Sequence, residues 1–307
     1  MAAPRKLLVL DLNGTLLLRS KRTRAGPSTV KFGTRSRVVH PRPYLNSFRD
    51  YIFHPSTMEW LDTMVWSSAQ PPSVADMVNH CFGLQQRKFT AIWARDTLGL
   101  PPALYDKKTP TTKDLSKPWA AFPEHSSRTT LLLDDSARKA HLHPHNHICV
   151  REYLQETRKH DLEVLRGNSP AAVPPKKQSK SKKAQRVAVL ESPVDTPPAW
   201  FIESSTYDET LLAIVGILET IKTRQNVAEW IRGGGLLDPQ TKLPSPPPSP
   251  DSLAPKMAAL NLMQAQELWF NSEATVHDWV RQGVHALEAL QIPVVAGIHS
   301  ELAPKRS

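Results

Sequence analysis

A chain of 307 residues with 39 lysines and arginines against 29 aspartates and glutamates has a formal net charge of +10. This length suits one well-packed domain with extensions and does not obviously divide into two. The cysteines, Cys81 and Cys149, argue against a disulfide framework and fit a reducing compartment. No run approaches the ~18 apolar residues of a membrane span. An aromatic content of 7% without a stacking platform leaves nucleic-acid binding unsupported. An apolar run that starts by about residue 6 leaves no room ahead of it for a signal or transit peptide.

Leu7-Leu8-Val9-Leu10 reads as a buried parallel strand, and Asp11-Leu12-Asn13-Gly14-Thr15 follows it directly. Open α/β sheets place their ligands at the carboxyl ends of such strands, so Asp11 stands where a nucleophile would stand. Gly14 permits a sharp turn, and the Thr15 hydroxyl is available to a phosphate oxygen or to the loop itself. The same five residues also fit an ordinary turn. From Leu12 to Arg49 there is no acidic residue, whereas Arg19, Lys21, Arg22, Arg24, Lys31, Arg35, Arg37, Arg42 and Arg49 are basic. That stretch either steers anionic substrates to the pocket mouth or is a solvated basic loop.

A second strand pattern, Thr63-Met64-Val65-Trp66, ends in Ser67-Ser68, where a hydroxyl can hold a phosphoryl oxygen. Lys113 supplies a cation to steady the nucleophile and offset phosphate charge. Thr129-Thr130-Leu131-Leu132-Leu133 then ends in Asp134-Asp135-Ser136. Two strands ending in carboxylates on one sheet edge make a hard-oxygen pocket suited to Mg²⁺ and phosphate. His141, His143, His145 and His147 alternate, but His-Pro-His interrupts regular structure and no cysteine or carboxylate completes a tetrahedral set.

Pro170 to Pro198 is rich in Pro, Ser and Lys, with Lys176 to Lys183 at its centre, a composition that stays disordered. It reads as a nuclear localisation signal, a polyanion-binding tether or a solvated linker. Ala199 to Ile202 and the helical pattern Leu211, Leu212, Val215, Leu218, Ile221 resume the core. Beyond Gly233-Gly234-Gly235, the segment Pro244 to Pro250 is an extended spacer or a ligand for a proline-binding groove. Leu260, Met263 and Leu268, then Val276, Trp279, Val280, Val284, Leu287 and Leu290, predict one or two amphipathic helices docked on the domain or on a partner.

Strand and helix patterns alternate, which predicts an α/β fold with a parallel sheet wrapped by helices. The domain spans 1–232 with a disordered basic insertion at about 167–198. A Pro-rich linker at 233–256 and a helical C-terminal extension at 257–307 follow.

Taken in order, these motifs resemble the haloacid dehalogenase superfamily of phosphatases. Val38 to Phe48, Val65-Trp66-Ser67-Ser68-Ala69, Lys113-Asp114-Leu115, and Leu133-Asp134-Asp135-Ser136 with His143-Pro144-His145-Asn146 are similar to its branch acting on the RNA polymerase II carboxy-terminal domain, the NLI-interacting-factor-like phosphatases. The resemblance covers roughly residues 5 to 165, and Asp208 to Leu212 resembles that branch's C-terminal helix. It implies a Rossmann-like sheet, Mg²⁺, and phosphorylated protein or peptide (Ser/Thr) as substrate. Asp11, Asn13 and Lys113 would be catalytic, while Thr15, Ser67 and Arg42 would bind phosphate or substrate. Asp11, the Asn13 backbone carbonyl, Asp134 and Asp135 would hold the metal.

One position departs from the pattern. Asn13 stands where the family has an aspartate that protonates the leaving oxygen and then activates water, and an amide exchanges no proton at neutral pH. Three functions stay open on these grounds: a phosphoprotein phosphatase weakened at that step, a pseudophosphatase scaffold or phosphate-binding module, and a protein-import role like that of the mitochondrial inner-membrane translocase receptor. The missing transit peptide and membrane span count against the third, so nucleus and cytoplasm are the expected compartments. Nothing in the sequence specifies an oligomeric state.

Overall fold

The computed structural model describes residues 3–20, 37–167, 207–237 and 268–298. In chain order, β1 (Lys6–Leu10) runs into an antiparallel ribbon of β2 (Leu17–Ser20) and β3 (Val38–Pro41). Helix α1 (Leu45–Ile52) and the single turn α2 (Pro55–Met58) lead to β4 (Leu61–Trp66), α3 (Pro71–Phe82) and β5 (Ala91–Trp93). The short helices α4 (Pro102–Tyr105) and α5 (Ser116–Ala121) precede β6 (Thr130–Asp134) and β7 (His147–Cys149). After these come α6 (Gln155–Gly167), α7 (Thr210–Lys222), α8 (Val227–Arg232) and α9 (Glu273–Ala289).

Five strands form one sheet in the order β5-β4-β1-β6-β7, with every pairing parallel. This is the α/β architecture, a parallel sheet wrapped by helices, that the alternating patterns predict. The chain leaves β1 for β4 and β5 on one side, then crosses to β6 and β7 on the other. The connections therefore diverge at the carboxyl end of β1, the position where such sheets open a crevice.

Strand β1 is buried on both faces, which is why it reads as an unbroken apolar run. Successive side chains alternate between two core clusters. Leu8 and Leu10 face a large cluster with Val65, Leu133 and residues of α1, α3, α7, α8 and α9. Leu7 and Val9 face a thinner one with Met64, Trp66, Leu115 and Leu132. Pro71 and Pro72 open α3 with preset φ angles, and Gly83 at φ +50° stops it. Ser272 caps α9 by accepting the Thr275 N–H.

Helices α7 and α9 cross at a pair of glycines. A Cβ on Gly216 would lie 2.2 Å from the Trp279 carbonyl oxygen, and one on Gly283 would lie 1.9 Å from that of Leu212. The two backbones therefore touch, and α9, from the segment set apart as an extension, shares the main core through Trp279, Val280 and Leu287. The linker expected from residue 233 starts with packed chain instead: Trp279 Nε1 donates to the Leu236 carbonyl (3.0 Å) and Thr275 Oγ1 to that of Leu237 (3.2 Å). The expected insertion at about 167–198, the nuclear address Lys176–Lys183, the spacer Pro244–Pro250, and Leu260 and Met263 fall in segments outside the described residues apart from Gly167, which ends α6.

Candidate active site at the carboxyl edge of the sheet

Strand register assembles the site. Leu10 pairs with Val65 on one side and Leu133 on the other, so Asp11, Trp66 and Asp134 lie level across three neighbouring strands. The Asp11 N–H donates to the Leu133 carbonyl (2.9 Å), which carries the β1–β6 ladder one residue further and fixes the Asp11 backbone. Gly14 makes the turn that follows, at φ +90°, where a Cβ would also fall 2.7 Å from Asp135 Oδ2. Only glycine meets both demands without strain.

Asp11, Asp134 and Asp135 offer carboxylate oxygens that all lie within 4.8 Å of one another. Two ammonium groups enter this cluster. Lys113 Nζ, fully buried, donates to Asp11 Oδ1 (2.8 Å) and Asp134 Oδ2 (2.6 Å). Lys139 Nζ donates to Asp11 Oδ2 (3.2 Å), Asp134 Oδ1 (3.0 Å) and Asp135 Oδ1 (3.4 Å). The Lys113 backbone N–H donates to the Lys139 carbonyl (2.8 Å), so the two lysine-bearing segments are tied together.

This crowding sets the local electrostatics. Burial alone would raise the Asp134 carboxyl, yet Lys113 and Lys139 hold it well below the usual carboxylate range. Burial pushes the Asp135 carboxyl up to about 7, with Lys139 opposing and Asp11 and Asp134 adding to the rise. Burial disfavours the Lys139 charge, but the three carboxylates overcome that and raise its pKa. Three hard oxygen donors converging where a cation already has favourable contacts fit Mg²⁺.

A cavity of about 220 Å³ opens beside the cluster, and Asp11, Asn13, Ser67 and Lys139 are among the residues that line it. The Ser67 hydroxyl sits just beyond β4, as expected, and accepts weakly from the Ala69 N–H (3.3 Å). Asn13 is exposed, and its Oδ1 accepts the Arg19 backbone N–H (2.9 Å), which leaves the amide nitrogen as its other polar atom.

Two of the residues expected to meet phosphate or substrate are engaged within the protein. Thr15 is fully buried and its hydroxyl serves the loop: it accepts the Asp135 N–H (3.1 Å) and donates to Asp135 Oδ1 (3.4 Å). Arg42 is also buried, and every nitrogen of its guanidinium is engaged within the protein. It forms a fork on Asp208 (3.1 and 2.8 Å) and donates to the carbonyls of Thr15 (2.9 Å) and Arg151 (3.0 Å) and to Thr210 Oγ1 (2.9 Å). Burial opposes ionisation of Asp208, but Arg42 keeps its carboxyl below the ordinary range. Arg42 thus braces the nucleophile loop against the start of α7.

Lys139 is the functional side chain that sequence reasoning passed over. Its only local signal is a lysine four residues after Asp135, next to an equally basic Arg138. The alternating histidines diverge: His141 Nδ1 meets the Arg138 carbonyl, His143 Nε2 meets Asp114 Oδ1, and His147 Nε2 meets the Asp134 carbonyl.

The profile of the NLI interacting factor-like phosphatases matches residues 6–168. An uncharacterized FCP1 homology domain-containing protein of Schizosaccharomyces pombe is 34% identical over 162 residues, covering 50% of this chain and 63% of that protein. A structure of the fission yeast RNA polymerase II CTD phosphatase Fcp1 bound to beryllium fluoride is 14% identical, covers 49% of this chain and 42% of that one, and gives a TM-score of 0.34. A second Fcp1 structure is 15% identical, covers 53% and 49%, and gives 0.33. The chain thus spans less than two thirds of each of these relatives. The profile match takes in more than half of the chain and includes Asp11, Lys113 and the Asp134-Asp135 pair, and the chain belongs to the NLI interacting factor-like phosphatase family.

Proposed function

We propose that this chain is a phosphoprotein phosphatase that removes phosphate from serine or threonine by passing the phosphoryl group through Asp11. The observation that carries this reading is the convergence of Asp11, Lys139 and Ser67 on one small cavity at the carboxyl edge of the sheet, with the buried Lys113 bonded to Asp11 from behind. A carboxylate oxygen of Asp11 attacks phosphorus, the P–O bond to the substrate breaks, and an aspartyl-phosphate forms. Lys113 and Lys139 are already within bonding distance of Asp11 and offset the charge that accumulates on the transferring group. The Ser67 hydroxyl orients a phosphoryl oxygen. Asp11, Asp134 and Asp135 would hold Mg²⁺, which supplies further charge stabilisation of the phosphoryl oxygens.

The departing alkoxide then needs a proton, and water must lose one when it attacks the aspartyl-phosphate. Asn13 lines the cavity and, as an amide, neither donates the first nor takes up the second, so both protons are exchanged with solvent water. Loss of a general acid/base lowers a rate by ~10²–10⁴. The reading is therefore of a slow enzyme that favours substrates with good leaving groups.

Turnover of an aryl phosphate and of phosphoserine peptides, with and without Mg²⁺, tests it, with Asp11→Asn as the blank. We expect Mg²⁺-dependent release of phosphate that falls at least ~10³-fold in the variant, as loss of a nucleophile does. Release that persists in Asp11→Asn would remove the nucleophile assignment, and release indifferent to chelation would remove the metal.

A further inference from the structure

The small cavity is not closed. Arg19, Arg37, Ser68 and Ala69 line it and also line a second cavity of about 670 Å³, so the two are neighbours. No step proposed above uses the larger one.

Its wall is built around a buried arginine. The Arg95 guanidinium donates to the carbonyls of Tyr105 (2.6 Å), Lys107 (2.7 Å), Leu104 (3.2 Å) and Ser68 (3.4 Å). Neutral acceptors fix the 104–107 segment beside the end of β4, and no carboxylate among the described residues forms an ion pair with the arginine. Lys107 and Lys108, both exposed, line the cavity from that segment.

Where the two cavities adjoin, Arg19 is incompletely satisfied. Its Nε is buried and finds no acceptor among the described residues, and Asp76 stands 3.5 Å from Nη2. Burial pushes this guanidinium down, Asp76 pulls it back up, and nearby Arg37 repels it. An anion at this junction gives Nε an acceptor and relieves the repulsion between two arginines. The lining as a whole sets five basic side chains against Asp76 and Asp106, and Asp106 is engaged by Gln70 Nε2 (3.3 Å).

Resting on the phosphatase reading, we propose that the larger cavity is a subsite for a second phosphate on the same substrate. The protein then acts on doubly phosphorylated peptide, one phosphate meeting Asp11 while its neighbour is held by Arg19, Arg37, Lys107 and Lys108. Guanidinium forks match phosphate oxygens in geometry as well as charge. A space of this volume is roughly 9 Å across, which two to three residues of extended peptide span.

Fluorescence anisotropy on the full chain carrying Asp11→Asn measures binding without turnover. Three labelled peptides are compared: one phosphoserine, a second phosphoserine two residues away on either side, and glutamate in place of that second phosphoserine. We expect the doubly phosphorylated peptide to bind about 10-fold more tightly than the singly phosphorylated one, as a charge-assisted contact allows. Adding Lys107→Ala and Lys108→Ala should shrink that preference to about two-fold, since each exposed cation is worth a few-fold at most. A merely unfolded variant would bind neither peptide, so the ratio separates the two cases. Equal affinities, no binding of either peptide, or a preference untouched by the lysine substitutions would overturn the subsite. A glutamate peptide that binds as tightly as the doubly phosphorylated one would overturn its assignment to phosphate. Absence of hydrolysis in the parent protein would overturn the phosphatase reading alone, because the binding ratio does not depend on it.

Discussion

The carboxyl edge of the sheet and the α7–α9 crossing are packed on opposite principles. At the edge, three carboxylates and two ammonium groups share a space in which the Asp11, Asp134 and Asp135 ligand atoms lie within 4.8 Å of one another. At the crossing, Gly216 and Gly283 carry no side chain at all, and backbone meets backbone beneath Leu212, Trp279 and Leu287. Removing charges from water is costly, and their mutual attraction offsets that cost only where geometry is good, so the edge is organised for chemistry more than for stability. Close-packed apolar helices give stability and no reactivity. Substitutions at the edge should therefore move rates, and substitutions at the crossing should move melting temperature.

The largest gain expected under this division is at Asn13. Asn13→Asp keeps the size of the side chain and one oxygen to accept the Arg19 N–H, now met at 2.9 Å. It replaces the amide nitrogen with an oxygen able to carry a proton. Turnover of an alkyl phosphate should rise ~10²-fold or more. An activated aryl phosphate should gain less, because its leaving group departs without protonation. Equal alkyl-phosphate rates in the two proteins, with Mg²⁺ binding demonstrated by calorimetry, would mean that the site is impaired elsewhere and that the scaffold reading is the better one.

At the crossing the expected change is in stability alone. Gly283→Ala places a methyl 1.9 Å from the Leu212 carbonyl oxygen and 2.8 Å from its carbon, so backbone must separate. Overpacking of this kind costs ~3 kcal/mol, which for a domain of this size lowers the melting temperature by about 6–12 °C. Mg²⁺ affinity should be unchanged. A variant that melts within a degree or two of the parent, or that loses Mg²⁺ binding while still folded, would break the separation between the two regions.

How much of each region was legible follows from how local its causes are. Strands β1, β4 and β6 announce themselves because a central parallel strand is buried on both faces and reads as continuous apolar sequence, and the acidic or hydroxyl residue that ends each one marks the edge. Strands β5 and β7, three residues each at the two margins of the sheet, are too short to leave a pattern. Lys113 and the Asp134-Asp135 pair are visible as motif residues, whereas Lys139 is one of two adjacent basic residues in a turn, and only the fold selects it. The fork of Arg42 on Asp208 joins residues 166 positions apart, which no local motif reveals. The glycine crossing joins positions 216 and 283, and no local spacing connects them.

The smallest effect sharpens the comparison within β1 itself, which begins at a buried lysine and runs into a buried aspartate. Asp11 is met by two ammonium groups, but Lys6 is fully buried and its Nζ donates to the Pro4 carbonyl (2.5 Å), a neutral acceptor. Burial alone pushes its pKa down to about 8, from an ordinary value of 10.5. Between those two values the unfolded chain holds the proton and the folded chain does not, so stability rises with pH across that window. Below it both states are protonated, and the cost of burying the charge is felt in full. Lys6→Met keeps the length of the side chain and removes the charge. It should stabilise the protein at pH 7 by about 1–2 kcal/mol, with no change in Mg²⁺ affinity at the opposite end of the strand. That advantage should shrink as pH rises through the window and vanish above it. Denaturant melts of both proteins across that range check the sign, and a constant difference between them would show that the Lys6 ammonium is not what destabilises this end of the sheet.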